Sequence, residues 1–220
     1  DGIDIARDAM PHMSVRLGKV AGVPARLFRV SFTGELGFEI NVPARHGRAV
    51  WEAVHAAGQA HGIAPYGTET MHVLRAEKGY IIVGQESDGT VIPADLGLDG
   101  MIGKTKPDFV GKRSLARPDM QLADRKQLVG LLATDPKVTL EEGAQVVEDP
   151  NAPVPMRMLG HVTSSYASAA LGRSIALALV SGGRARKGMK LFVPALDGTA
   201  QEATVTDPVF YDPEGKRLDG

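Results

Sequence analysis

Between Gln127 and Asp207 the chain passes through six short apolar segments: QLVGLLA, AQVVE, MLGHVTSS, SIALALV, KLFVPA and QEATVTD. Gly, Pro and Asp clusters cut each one off from the next. The segments are too short for ordinary helices and are rich in β-branched residues, so they read as strands. Strands this short, this many and this closely spaced must curl on themselves to hide their edges. The expectation is a small β-barrel over 127–220.

The texture ahead of it is different. Residues 24–32, PARLFRVSF, alternate, with Phe28, Val30 and Phe32 on one side and Leu27, Arg29 and Ser31 on the other. After TGELG, residues 38–42 alternate again, Phe38, Ile40 and Val42 against Glu39 and Asn41. Two alternating runs joined by a Gly-containing loop predict a hairpin, with Glu39 turned away from the apolar face of its own strand. A solvated carboxylate and a carboxylate that meets a ligand both fit that pattern. Helical spacing of Val50, Trp51, Val54, Ala57 and Gly58 predicts a helix over about 44–60, with Pro43 near its start. A second helix, roughly 67–78, opens at GTET and stops at Gly79. Its inward stripe is Met71, Leu74 and the stem of Lys78, with Arg75 beside it. The stretch 103–126 is dense in charge and reads as a connector with one short helix. The pattern class is therefore α+β over 1–102, a connector over 103–126, and the barrel over 127–220.

Composition removes several functions. The 25 basic and 26 acidic residues nearly cancel, leaving no general pull toward nucleic acid or anionic membrane. Cysteine is absent, so thiolate and disulfide chemistry is excluded and a reducing cytoplasm is expected. No apolar run approaches the roughly 20 residues of a membrane helix. The segment DGIDIARDAM carries no signal-peptide pattern and no initiator methionine, and the chain is expected to be a piece of a longer polypeptide.

The obvious chemical motifs fail on spacing. GKT at 103–105 lacks the glycine of a phosphate loop, since Leu98 stands five residues before Gly103. His55 and His61 do not stack on one helix face, no HExxH occurs, and no metal site is expected. No G-x-S-x-G elbow offers a hydrolase nucleophile. The basic GGRARKG at 182–188 reads as a solvated turn, because no aromatic residues interleave with it.

Longer stretches carry a family resemblance. FTGELGFEI (32–40) resembles the Y-T-G-E-x-G-x-E signature of the folate-dependent aminomethyltransferases, the T-proteins of the glycine cleavage system. LRAEKG, TVIPADLGLD, DFVGKRSL, GHVTSS with LGRSIALALV, and DPVFYDPEG follow in the family's order. Phe32 replaces the family's tyrosine, and Val83 stands where an aromatic residue precedes Gly84. TETMHVLRAEKGYIIVGQESDGTVIP and the closing VTDPVFYDPEGKRLDG are more similar to the branch formed by alpha subunits of heterotetrameric sarcosine oxidases.

The resemblance implies a partial folate-binding domain over 1–102 and a tetrahydrofolate ligand. Glu39 would accept hydrogen bonds from the pterin, Gly34 would let backbone approach it, and Phe32 would pack at the wall. Arg75 would hold the anionic benzoyl-glutamate tail, although an arginine at a helix end also suits the dipole. The family's catalytic aspartate is expected upstream of Asp1, so no catalytic residue is expected within 1–220 and the isolated chain should be inactive. The implied partners are the other sarcosine oxidase subunits, including a flavin-bearing beta subunit; flavin and NAD belong to the rest of that complex. Sarcosine would be oxidised there to an imine. Tetrahydrofolate would capture the imine, or the formaldehyde it releases, as 5,10-methylenetetrahydrofolate, with glycine and hydrogen peroxide as the other products. A stand-alone aminomethyltransferase and a non-catalytic interaction domain are the alternatives.

Overall fold

A computed structural model describes residues 2–219, which divide into two compact units. One unit comprises residues up to 75 together with 212–219; the other is Ala76–Tyr211. The fold is α+β.

The first unit is built on a three-stranded antiparallel sheet in the order β1-β2-β3. Strands β1 (Ser14–Val20) and β2 (Val23–Arg29) form a hairpin turned at Ala21 and Gly22. Strand β3 (Glu39–Asn41) pairs with β2 through Arg26↔Asn41, Leu27↔Ile40 and Phe28↔Glu39. The pairing of the two alternating runs is as the sequence suggests, but β2 ends at Arg29 and residues 30–38 form a loop.

The structure decides which side of β2 is buried. Ala25, Leu27 and Arg29 are buried, whereas the side bearing Phe28 is the more open one. The inner row holds an arginine whose two Nη atoms find carbonyls, while its buried Nε has no hydrogen-bond partner among the described residues. Arg29 donates from Nη1 to the Met10 carbonyl at 2.8 Å and from Nη2 to the Asp219 carbonyl at 3.3 Å.

Helix α1 (Gly47–Gly58) is flanked by 3-10 turns at Ala44–His46 and Gln59–His61, matching the span expected from its period. Its stripe is less buried than the spacing suggests: Val50 is inside, but Trp51 is 58% exposed and stacks flat on His55 at 5.0 Å. Helix α2 spans Thr68–Glu77, and Gly79 follows it with a positive φ of 70°.

The second unit contains the six expected strands. They are β4 (Lys126–Ala133), β5 (Gln145–Val146), β6 (Gly160–Ser168), β7 (Arg173–Ser181), β8 (Lys190–Pro194) and β9 (Ala200–Thr206). Their sheet order is β5-β6-β7-β4-β9-β8. The two end strands then meet: Val147 N–H bonds the Phe192 carbonyl at 2.8 Å, and Phe192 N–H bonds the Val147 carbonyl at 2.9 Å. That reciprocal pair closes the sheet into a barrel, so its edges are used up.

Strand β7 explains why SIALALV is apolar throughout rather than alternating. Ala176, Ala178 and Val180 enter the barrel interior with Val129, Leu131, Val162, Leu191 and Val205. Ile175, Leu177 and Leu179 face outward into a second core with Ala76, Leu128, Ile81, Val91, Leu96 and Phe210. A strand covered on both faces needs apolar side chains in both registers.

Buried polar groups pin the 76–96 segment to the barrel. Ser168 Oγ donates to Glu77 Oε1 at 2.5 Å and Ser164 Oγ to Glu86 Oε1 at 2.6 Å. Arg125 bridges to Asp95, Nη2 to Oδ2 at 2.6 Å. The basic 182–188 stretch is a turn with Arg184, Ala185, Lys187 and Gly188 exposed, as expected, and it also makes structural contacts. It forms a 3-10 turn, Gly183–Arg186, from which Arg184 donates to the carbonyls of Ala94 (2.6 Å) and Asp95 (3.0 Å). Arg186 Nε reaches the Ser181 carbonyl, and Lys187 pairs with Asp207. Arg184 thus holds carbonyls of the 93–96 turn and Arg186 the one at the end of β7, so two of the stretch's charges bind backbone. The short connector helix is α3 (Lys112–Leu115).

Candidate functional site

The FTGELGFEI segment becomes the 30–38 loop and the first residues of β3. Two glycines shape it for different reasons. Gly34 is buried with φ of 81°, a conformation that side chains other than glycine adopt at a cost. Gly37 lies so close to β2's end that a Cβ there would stand 2.8 Å from the Val30 carbonyl. Neither position accepts a larger residue without moving the loop.

Glu39 opens β3, is exposed, and pairs with Phe28. In an antiparallel ladder, directly paired residues and alternate residues share a face. Glu39 therefore lies on the same sheet face as Asn41, Phe28, Arg26, Val15 and Leu17. This face is the open one: Val15 is 45% and Leu17 75% exposed. A cleft of about 470 Å³ lies along it, lined by Leu17, Gly18, Pro24, Ala25, Arg26, Asn41, Val42 and Pro43. Glu39 is one step along β3 from Asn41 on that face, roughly 7 Å at two residues of strand rise.

Phe32 is 38% exposed and belongs to the same loop as Gly34. Arg75 sits apart in sequence, in the last turn of α2, and is fully buried. The loop and strand bring Phe32, Gly34 and Glu39 onto one continuous segment. Arg75 comes from a different element and is not among the residues lining the cleft.

Chemically, the face offers a carboxylate, a guanidinium at Arg26, an amide at Asn41 and apolar side chains at Leu17, Val15 and Phe28. That set can take a flat heteroaromatic ligand: apolar contact for its ring faces and an acceptor for ring N–H donors. Arg26 and Asn41 escaped the motif reading, because nothing in their spacing marks them. Their signal is positional only, through the strand register. Among the described residues, no cluster of His, Asp or Glu is placed to hold a metal ion, and no helix is long and apolar enough to cross a membrane.

Comparison with known proteins places these features in context. Residues 1–106 match the family model for the GCVT N-terminal domain, and residues 126–212 match that for the glycine cleavage T-protein C-terminal barrel domain. The sarcosine oxidase subunit alpha of Corynebacterium sp. (strain P-1) is 50% identical over 224 aligned residues, covering 100% of this chain and 23% of that protein. Its counterpart from Rhizobium meliloti (strain 1021) is 42% identical over 98% of this chain and 22% of its own length. The chain thus spans less than a quarter of these relatives. Among solved structures, the glycine cleavage system aminomethyltransferase T from Bartonella henselae superposes with a TM-score of 0.73 at 22% identity, over 86% of this chain and 50% of its own.

Proposed function

Because this chain belongs to the glycine cleavage T-protein family, we propose that it is the tetrahydrofolate-binding module of a sarcosine oxidase alpha subunit, working in the cytoplasm with the other subunits of that complex. The division of labour carried with this reading is a folate-side domain over 1–102, a connector over 103–126 and the barrel over 127–220.

The observation that carries it is the placement of Glu39 on the open face of the three-stranded sheet, beside a cleft lined by Leu17, Arg26 and Asn41. A carboxylate there accepts two parallel donors, the pattern that the 2-amino group and ring N–H of a pterin present. Gly34 and Gly37 hold the loop that leads into Glu39, and Phe32 supplies an apolar edge without the hydroxyl of a tyrosine. Arg75, expected at the anionic tail, is fully buried at the end of α2 and is given no ligand contact in this reading. Tetrahydrofolate, when bound, supplies the nucleophilic nitrogens that take up a one-carbon unit. This chain's own residues bind and orient it. Sarcosine oxidation belongs to a flavin-bearing beta subunit, since redox steps of this kind need a cofactor. NAD, like the flavin, belongs elsewhere in the complex. The one-carbon unit released there ends as 5,10-methylenetetrahydrofolate, with glycine and hydrogen peroxide formed by the complex.

Titration calorimetry of the complex with tetrahydrofolate tests the reading. Glu39→Gln is expected to weaken binding by about 1–3 kcal/mol, the range for a hydrogen bond to a charged group. Unchanged affinity removes Glu39 from the site, and absence of binding by the wild type favours a non-catalytic interaction domain. The 220-residue chain alone is expected to release no peroxide from sarcosine and to form no methylenetetrahydrofolate. Turnover by the chain alone would place the chemistry within residues 1–220.

A further inference from the structure

Residues 212–219 belong to the same compact unit as the sheet, and they hold their own shape. Asp212 has a φ of 45°, uncommon for a residue with a side chain. Its carboxylate accepts the backbone N–H groups of Lys216 and Arg217, both at 3.1 Å, and its carbonyl accepts the Gly215 N–H at 3.0 Å. A 3-10 turn, Lys216–Leu218, follows. Side-chain bonds from an Asp to backbone a few residues on are a way to fix a turn without help from elsewhere.

This self-made turn grips the 30–38 loop at two points. At the loop's start, Arg29 is only 2% exposed; its Nη2 meets the Asp219 carbonyl at 3.3 Å and the Asp219 carboxylate at 3.8 Å. Asp219 is steadied from the other side by Arg7. Near the middle of the loop, Arg217 Nε donates to Glu35 Oε1 at 2.7 Å. Glu35 lies between Gly34 and Gly37, the positions where backbone freedom is greatest. A loop with two such glycines has conformations to spare, and ordering it costs roughly 1–2 kcal/mol of backbone entropy per residue. A charge-assisted bond at its middle removes part of that freedom before any ligand arrives.

We propose that residues 212–219 act as a clasp on the 30–38 loop, with Asp219 as its anchor on Arg29 and Arg217 as the positioning residue for Glu35. The clasp sets the path by which the loop enters β3, and hence where Glu39 stands. Its consequence for folate rests on the functional reading above; its effect on the loop does not.

Amide hydrogen exchange on the protein as purified, with the chains that accompany it, tests this. Arg217→Ala is expected to raise exchange across 33–38 by about two- to fivefold, the range for one exposed ion pair. The β1–β2 amides over 14–29 should not change. Glu35→Gln breaks the same contact from the other side and should act alike, which covers the case of a poorly folded Arg217→Ala. The double exchange Glu35→Arg with Arg217→Glu should restore protection, because it remakes the pair with its charges reversed. Loop exchange unaltered in both single variants overturns the proposal. So does a rise spread evenly over the hairpin, and so does a swap that fails to restore protection. Tetrahydrofolate affinity, measured on the same variants, separates the two readings. A loosened loop with weaker folate binding supports both. A loosened loop with unchanged folate binding leaves the clasp standing and removes the folate site from this loop.

Discussion

The barrel and the three-stranded sheet solve the same problem in opposite ways. The barrel joins its end strands at Val147 and Phe192 and covers β7 on both faces, so its strands find their partners within its own unit. The sheet of the first unit buries one row, Ala25, Leu27 and Arg29, and leaves Val15 and Leu17 exposed on the other. A closed structure has stability as its product. An open face with a carboxylate, a guanidinium and apolar side chains has surface to offer a ligand, and gives up burial to keep it.

The sharpest way to break this contrast is a pair of leucine truncations. Leu177 is fully buried, so Leu177→Ala should cost about 2–5 kcal/mol, the loss of its burial plus the cavity left behind. Leu17→Ala, at a residue 75% exposed, should change stability by no more than about 0.5 kcal/mol. Urea unfolding followed by circular dichroism reads the barrel strands, and the single tryptophan, Trp51, reports on the other unit. Equal losses from the two truncations would mean that the Leu17 face is covered in solution.

A smaller effect belongs to Arg29. Its removal leaves the buried Met10 carbonyl without its donor, which costs about 1–3 kcal/mol. The contact with the Asp219 carboxylate adds little, because that side chain is 35% exposed and solvent screens it. Arg29→Met should therefore shift the Trp51 fluorescence transition and leave the barrel's transition in place. A shift in the barrel alone would show that Arg29 does not stabilise the sheet.

The sequence reading succeeded and failed along the same line. All six barrel strands were legible because each is short, apolar and bracketed by turn residues, and closing them leaves few alternatives. Strand β1 was not foreseen. Its only apolar alternation is Val15 and Leu17, and both prove to be exposed, so the usual signal of a buried face is weak there. The inner row of β2 was left open, because Arg29 reads as polar while its partner Asp219 lies 190 residues away. Glu77 with Ser168 and Asp95 with Arg125 were hidden for the same reason: the two halves of each pair are far apart in sequence and unremarkable singly. In the candidate site, the glycines and Glu39 were visible through their motif. Arg26 and Asn41 were not, since register alone brings them onto that face.

The smallest expected effect concerns pH and confines itself to the barrel. His161 on β6 is partly buried, and burial first, then nearby Lys126, hold its pKa below the usual 6.5, with Asp88 opposing them. The folded state therefore binds a proton less readily than the unfolded chain does. Above about 6.5 both states carry a neutral ring and nothing is lost; as pH falls below it, the unfolded chain protonates first and barrel stability declines. His161→Asn should flatten that slope between pH 7 and 5 in urea titrations. A slope unchanged by the substitution would assign it to other groups.

The strand order has a consequence for the birth of the protein. Strand β4 is the first of the six in the chain, yet its neighbours in the sheet are β7 and β9, which begin at Arg173 and Ala200. A ribosome adding roughly 5–20 residues per second takes seconds to travel from the end of β4 to the end of β7. Through that interval QLVGLLA is out of the ribosome or approaching its exit with both edges unpaired, apolar and free of proline. Synthesis, more than the finished fold, is the moment when this chain is most exposed to pairing with the wrong strand.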